Sequence, residues 1–145
     1  MTPVPTAWRW PAAPESRKWC PAAGLDFINF YGGVVPERYR GRLLHEHNEV
    51  VTLMRTSPEE NAEVARTIAA KLNRARGPAA FFVPLLGFSA VDAAGEVFHD
   101  PQADRAFVDT LERHLSTKVE LVKCEHHIND AEFATRLTDY LQTPL

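Results

Sequence analysis

The side chains in this sequence that could do chemistry fall into three groups, each just before or after an apolar run. Arg55-Thr56-Ser57 sets a guanidinium and two hydroxyls ahead of a helical pattern, where open backbone donors could help hold a phosphate or carboxylate. The competing reading is that Ser57 only caps the helix and Arg55 pairs with a nearby carboxylate. Ser89 and Asp92 lie in a glycine-bounded stretch, Gly87 to Gly95, and could contact a sugar or a metal-bound phosphate. Alternatively Asp92 satisfies backbone N–H groups within a turn. Asp100, His127, Asn129 and Asp130 complete the polar set, with His127 the candidate acid or base and Arg55 the anchor if a small carboxylate or phosphate metabolite is transformed. Ser89 is not read as a nucleophile, because no nucleophile-elbow motif surrounds it.

Histidine and cysteine invite a metal reading. His45 and His47 share a face if extended, as do Cys124 and His126, and imidazole with thiolate suits a borderline-soft ion such as zinc. Neither spacing is a zinc signature. The expectation is therefore no metal, with His45, His47 and His126 as the alternative set. Cys124, ending an apolar run, reads as a small buried hydrophobe.

The elements that must position these groups are legible from apolar patterning. Val50 to Arg55 (VVTLMR) suits a strand covered on both faces, and Ser57-Pro58-Glu59-Glu60 combines a capping box with proline at the first helical position. Ala62, Ala65, Ile68, Ala69 and Leu72 recur at helical spacing, and Gly77-Pro78 supplies a stop. Ala79 to Leu86 (AAFFVPLL) is a second buried run, with a bulge or strand end expected at Pro84. Asp100-Pro101 then caps a helix bearing Ala103, Phe107, Val108, Leu111 and Leu115. Lys118 to Cys124 is the third strand, and Phe133, Leu137, Tyr140 and Leu141 mark the last helix.

Strand and helix alternating in this way predict an α/β fold: a three-layer, mostly parallel Rossmann-like sheet of β-α-β-α-β-α order with right-handed crossovers. Ligands of such sheets bind beyond the carboxyl ends of the strands, which nominates the three loops above. Three strands make a small sheet, so a partial domain is expected. Upstream, Gly24 to Tyr31 suits an edge strand, Gly32 to Glu49 reads as a long ordered loop or lid, and the proline-rich residues 1–23 read as an irregular arm outside the core.

Composition narrows the function classes. With 145 residues, 45% hydrophobic and 24% charged, the chain fits one globular domain, and no apolar run approaches the roughly 20 residues of a membrane span. A net charge of -3 gives no excess of Lys and Arg for a nucleic-acid surface. Two cysteines and no basic-then-apolar leader point to the reducing cytoplasm. No GxGxxG or Walker-type loop is present.

Four blocks, VPERYRGRLLHEHN, TLMRTSPEENAEVARTIAAKLNRARGP, PLLGFSAVDAAGEVFHDPQADRAF and HINDAEFA, occur in the order in which they are found in the Tm-one-like ATP-binding proteins, relatives of the tomato mosaic virus resistance protein. From about Gly24 to its end the chain resembles the C-terminal part of that family. The resemblance implies two Rossmann-like subdomains with an ATP site between them, ATP with magnesium as ligand, and association as oligomers. It places Arg55, Thr56, Ser57, Ser89, Asp92, Asp100, His127, Asn129 and Asp130 in loops of matching blocks. The N-terminal subdomain is not in this sequence, and residues 1–23 do not resemble the family. Two readings follow: one half of a split protein that pairs with another chain, or a reading with an artificial start. The expected function is part of a nucleotide-binding protein; the alternatives are an enzyme domain for a small metabolite and an interaction module completing a partner subunit.

Overall fold

The structure is a computed structural model, and it describes residues 18–142. Strands β1 (Lys18–Pro21), β2 (Phe27–Tyr31), β3 (Leu44–Asn48) and β4 (Val51–Arg55) lead to helix α1 (Pro58–Leu72). Strand β5 (Ala79–Pro84), helix α2 (Pro101–His114), strand β6 (Val119–Cys124) and helix α3 (Ala131–Gln142) follow. The strands form two sheets. One is parallel, in the order β1-β5-β6, and the other is antiparallel, in the order β2-β4-β3.

The α/β class and the layering agree with the sequence patterning. Every residue of β5 is buried, as a continuous apolar run in a central strand requires. Its alternation divides the core between two faces. Ala79, Phe81 and Val83 meet Ala65, Ala69 and Leu72 of α1 and Phe107 and Leu111 of α2. Ala80 and Phe82 pack with Phe133, Leu137 and Tyr140 of α3 on the other side. Pro84 is the last residue of β5, where the missing N–H interrupts no ladder. At the start of α1, Ser57 Oγ accepts from Glu60 N and Glu60 Oε2 accepts from Ser57 N, the reciprocal box its sequence predicts. Buried Asn61 donates to the Ala103 carbonyl at 3.0 Å and ties α1 to α2.

Three expectations are corrected. First, β4 is a buried strand, but it belongs to the antiparallel sheet; a β-branched run records burial, not the partner it pairs with. The third parallel strand is instead β1, from the segment read as an irregular arm. Pro21 is tolerated there because it ends an edge strand, and Ala22 beside it is 1% exposed. Residues 1–17 of that arm lie outside the described residues. Second, Gly32 to Glu49, read as a long ordered loop or lid, holds a 3-10 turn at Glu37–Tyr39 and strand β3. The polar sequence LHEHN conceals this strand because it lies at a sheet edge, partly in solvent, with an irregularity between Glu46 and Asn48. Third, α1 stops at Leu72 rather than at Gly77-Pro78. Its end is fixed by Asn73, which donates to the His114 carbonyl and accepts from Ser116 N, contacts made across the fold. The Gly87 to Asp100 loop contains a 3-10 turn at Ala90–Asp92, and Asp92 Oδ2 accepts from Phe88 N, as the turn reading of that stretch expects. The edge-strand reading of Gly24 to Tyr31 is met by β2. Among the described residues no helix is long and apolar enough to cross a membrane.

Candidate functional site

A cleft of about 800 Å³ opens at the carboxyl ends of β5 and β6, over the first turns of α2. Leu85, Leu86, Phe88 and Val108 give it an apolar floor and wall. Asp104, Arg105, Asp109, Lys123, Glu125, His99, His127 and Asp130 supply the polar lining. Carboxylates outnumber the two permanent cations, and Lys123 Nζ already lies 2.6 Å from Glu112 Oε1. Asp104 and Asp130 are engaged within the protein, whereas the side chains of Asp109 and Glu125 are exposed at the rim.

Beneath the cleft lies a buried charged cluster centred on Arg55, itself only 4% exposed. Its Nη2 donates to Asp104 Oδ1 at 2.7 Å, and to Asp92 Oδ1 and the Asp100 carbonyl at 3.3 Å each. Nη1 donates to the Asp26 carbonyl at 3.0 Å and to Thr56 Oγ1 at 3.3 Å. Asp92 Oδ2 accepts from Phe88 N, and Ser89 Oγ donates to Asp26 Oδ2 at 2.5 Å. Among the described residues, Asp26 Oδ1 is buried without a hydrogen-bond partner, as is Arg55 Nε. One guanidinium thus faces three aspartates. Burial pushes all three carboxyls above the usual range, Asp92 to about 7, with the Asp104 charge raising Asp92 further and Arg55 opposing.

The structure sorts the candidate residues by depth. His127 and Asp130 line the cleft itself. Asp130 Oδ2 accepts from His127 N at 2.7 Å, which folds the β6–α3 loop back on itself. The His127 ring is occupied at both nitrogens: Nδ1 accepts from Asn129 N at 3.2 Å, and Nε2 is 2.9 Å from the Ser89 carbonyl. Those partners assign the Nε2–H tautomer and leave neither nitrogen open as an acid or base. Gly87, with φ +130°, makes this packing possible, since a Cβ there would lie 2.6 Å from the Asp92 carbonyl oxygen and 2.8 Å from His127 Cδ2.

Arg55, Thr56 and Ser57 do not open onto the cleft. Thr56 Oγ1 donates to the Leu25 carbonyl, and Ser57 is spent in its capping box. Ser89, Asp92 and Asp100 sit behind the lining, Asp100 capping α2 by accepting from Gln102 N and Ala103 N. Asn129 is exposed beside the cleft. His45 packs edge-on against Phe98, with centroids 6.1 Å apart. No three of His, Cys, Asp and Glu gather as metal ligands among the described residues, so His45, His47 and His126 form no such set. Cys124 is buried beside Phe82 and Phe133, as its strand-end position suggested.

Sequence reasoning missed Asp26, Asp104, Arg105, Asp109, Lys123 and Glu125. A signal existed for Asp104 and Lys123. Asp104 is in the first turn of a helix that follows a parallel strand, and Lys123 is next to last in such a strand, both positions at the ligand-facing end. Asp26 carried no local signal.

Residues 20–144 match the family described as Uncharacterised protein family (UPF0261) C-terminal domain. A UPF0261 protein of Clostridium tetani is 46% identical over 120 residues, covering 81% of this chain and 30% of its own length. A UPF0261 protein of Rhizobium meliloti is 49% identical over 113 residues, 76% of this chain and 28% of its own. The ToMV resistance protein Tm-1(GCR237) of Solanum lycopersicum is 41% identical over 118 residues, 79% of this chain and 16% of its own. The chain spans about 30% or less of the length of these relatives.

Proposed function

This chain belongs to the UPF0261 C-terminal domain family, and from that premise we propose that its cleft is one wall of a binding site for a small phosphorylated ligand, a nucleotide with magnesium first among them. The observation that carries the reading is the position of the cleft, about 800 Å³ beyond the carboxyl ends of two parallel strands. Open parallel sheets take their ligands there, and the volume suits a nucleotide-sized molecule.

The lining supports a particular form of that ligand. A bare polyanion would meet more carboxylates than cations. A nucleotide carrying magnesium avoids that repulsion, since this ion is commonly held by one or two carboxylates together with phosphate oxygens rather than by a full protein cage. Asp109 and Glu125, exposed at the rim, are the residues that would hold it. The ion would supply neutralising charge to the phosphates. Arg105 and Lys123 add direct charge, and Leu85, Phe88 and Val108 offer an apolar bed for a base.

Binding is favoured over catalysis by what is already engaged. Both His127 nitrogens, the Ser89 hydroxyl and Arg55 are taken up within the protein. On this reading the opposite wall would come from the rest of a longer polypeptide or from a partner chain, which the greater length of the relatives, more than three times the matched stretch, supports. Two free thiols, Cys20 and Cys124, suit the cytoplasmic setting that goes with this reading. Calorimetric titration of ATP with magnesium into this chain, and into a full-length relative, tests it. Saturable binding with magnesium, weakened by Lys123→Glu, is expected. A folded full-length protein that gives no heat of binding overturns it.

A second reading, an interaction module, rests on the exposed apolar tip of the antiparallel sheet. Tyr31, Val34 and Val50 are 75%, 73% and 59% exposed there. Light scattering after size exclusion tests it, and a monomer at high concentration counts against self-association.

A further inference from the structure

We infer that the cleft loop is held by a proton-dependent clamp: the aspartates around Arg55 fasten residues 85–100 to the antiparallel sheet on the acid side of neutrality and loosen them above it. The clamp depends on the cluster and not on the ligand reading, so it stands or falls in the ligand-free protein.

The geometry is that of a seam. Asp26 and Arg55 belong to the antiparallel side, Asp26 immediately before β2 and Arg55 at the end of β4. Ser89 and Asp92 belong to the loop that supplies Phe88, Ala93, Ala94 and His99 to the cleft. Across the seam run the Ser89–Asp26 hydrogen bond, the hydrogen bond from Arg55 Nη2 to Asp92 Oδ1 and the bond from Gly24 N to the Phe88 carbonyl at 2.8 Å. Asp104 closes it from α2.

Charge makes this seam sensitive. With all three carboxyls ionised, the cluster would hold three negative charges against one positive, and Asp26 and Asp92 are fully buried. Among the described residues, Asp26 Oδ1 has no hydrogen-bond donor to stabilise an anion. Repulsion between buried like charges is relieved by a proton or by separating the groups. Among the described residues, the surrounding charges do not supply the missing cation. On α2, the Asp100 side chain is spent on its cap, and on the loop His99 Nδ1 lies 3.4 Å from the Asp92 carbonyl. From the β6–α3 side, His127 donates to the Ser89 carbonyl rather than to a carboxylate. Arg42, which donates to the Arg55 carbonyl, is paired with Glu60 of α1. The burial-driven upward displacement of the three carboxyls agrees with this accounting.

Loss of that proton therefore weakens the seam, and the loop opens more often as pH rises. Hydrogen exchange read by mass spectrometry between pH 6 and 8, corrected for the intrinsic rate, tests it on the whole chain. Protection of residues 85–100 should fall roughly tenfold over that interval, one proton being worth up to about tenfold per pH unit. Protection of α3, remote from the cluster, should not change. Asp92→Asn, which keeps an acceptor for Phe88 N, should flatten the dependence. Should that variant fail to fold, Asp26→Asn and carboxyl-carbon NMR titration of the unmodified protein decide the same question. Flat protection of the loop, or all three carboxyls titrating below about pH 5, overturns the clamp.

Discussion

Replacing Arg55 with methionine, of similar length and no charge, tests the central contact of the fold. The substitution removes five hydrogen bonds, two of them to carboxylates, at a position 4% exposed. Breaking a buried ion pair from one side typically costs about 3–5 kcal/mol, because the abandoned charge stays in a poor solvent. Here Asp92 and Asp104 lose their only described cationic partner, and Asp26 loses a bond to its carbonyl. The carboxyls can escape part of the penalty by binding protons. Their folded-state pKa values, already raised, then rise further. A raised carboxyl contributes stability that is complete below its unfolded value and is lost as pH climbs through its folded value. The deficit of Arg55→Met should therefore be largest near pH 8, about 3–5 kcal/mol, and should shrink towards pH 5. Urea denaturation followed by circular dichroism at both pH values measures it. Against a typical total of about 5–15 kcal/mol, such a loss is plain in the midpoint. A deficit below about 1 kcal/mol, or one indifferent to pH, would refute the view of Arg55 as the counter-ion of this cluster.

The unmodified protein should itself lose stability as pH rises from about 4 to 7, the interval between the ordinary aspartate value and the raised value of Asp92, and thermal unfolding at fixed ionic strength would show it. Glu60 works in the opposite sense: the Arg42 hydrogen bond holds it below the usual range, so its contribution disappears only as pH falls through that depressed value. Ser57→Ala removes the acceptor for Glu60 N and should lower stability by about 1 kcal/mol in urea denaturation while leaving ligand affinity unchanged. Gly87→Ala places a methyl group 2.6 Å from backbone at a positive φ, so it should destabilise by about 2 kcal/mol or more and shift the His127 ring resonances in NMR spectra.

Much of the fold was legible because its signals are local. The capping box at Ser57, the Asp100-Pro101 cap and the unbroken apolarity of β5 each lie within a few neighbouring residues, and each forms as its spacing predicts. The polar strand β3 and the proline-terminated β1 were not legible, since both are edge strands whose pairing is decided by a distant partner. The loops after β5 and β6, nominated from the sequence, contribute residues to the cleft lining, His127 and Asp130 among them. Arg55, Thr56 and Ser57 lie off the cleft because β4 pairs in the other sheet.

The sequence by itself determined where helices begin, which faces are apolar and that the class is α/β, because capping and periodicity act over a turn or a strand. Only the tertiary structure decided which sheet each strand joins and which charges share a cavity. Asp26 reaches Ser89 across 63 residues and Arg55 reaches Asp104 across 49. Contacts at such separations leave no period in the chain; they exist only once two sheets and two helices have been packed together.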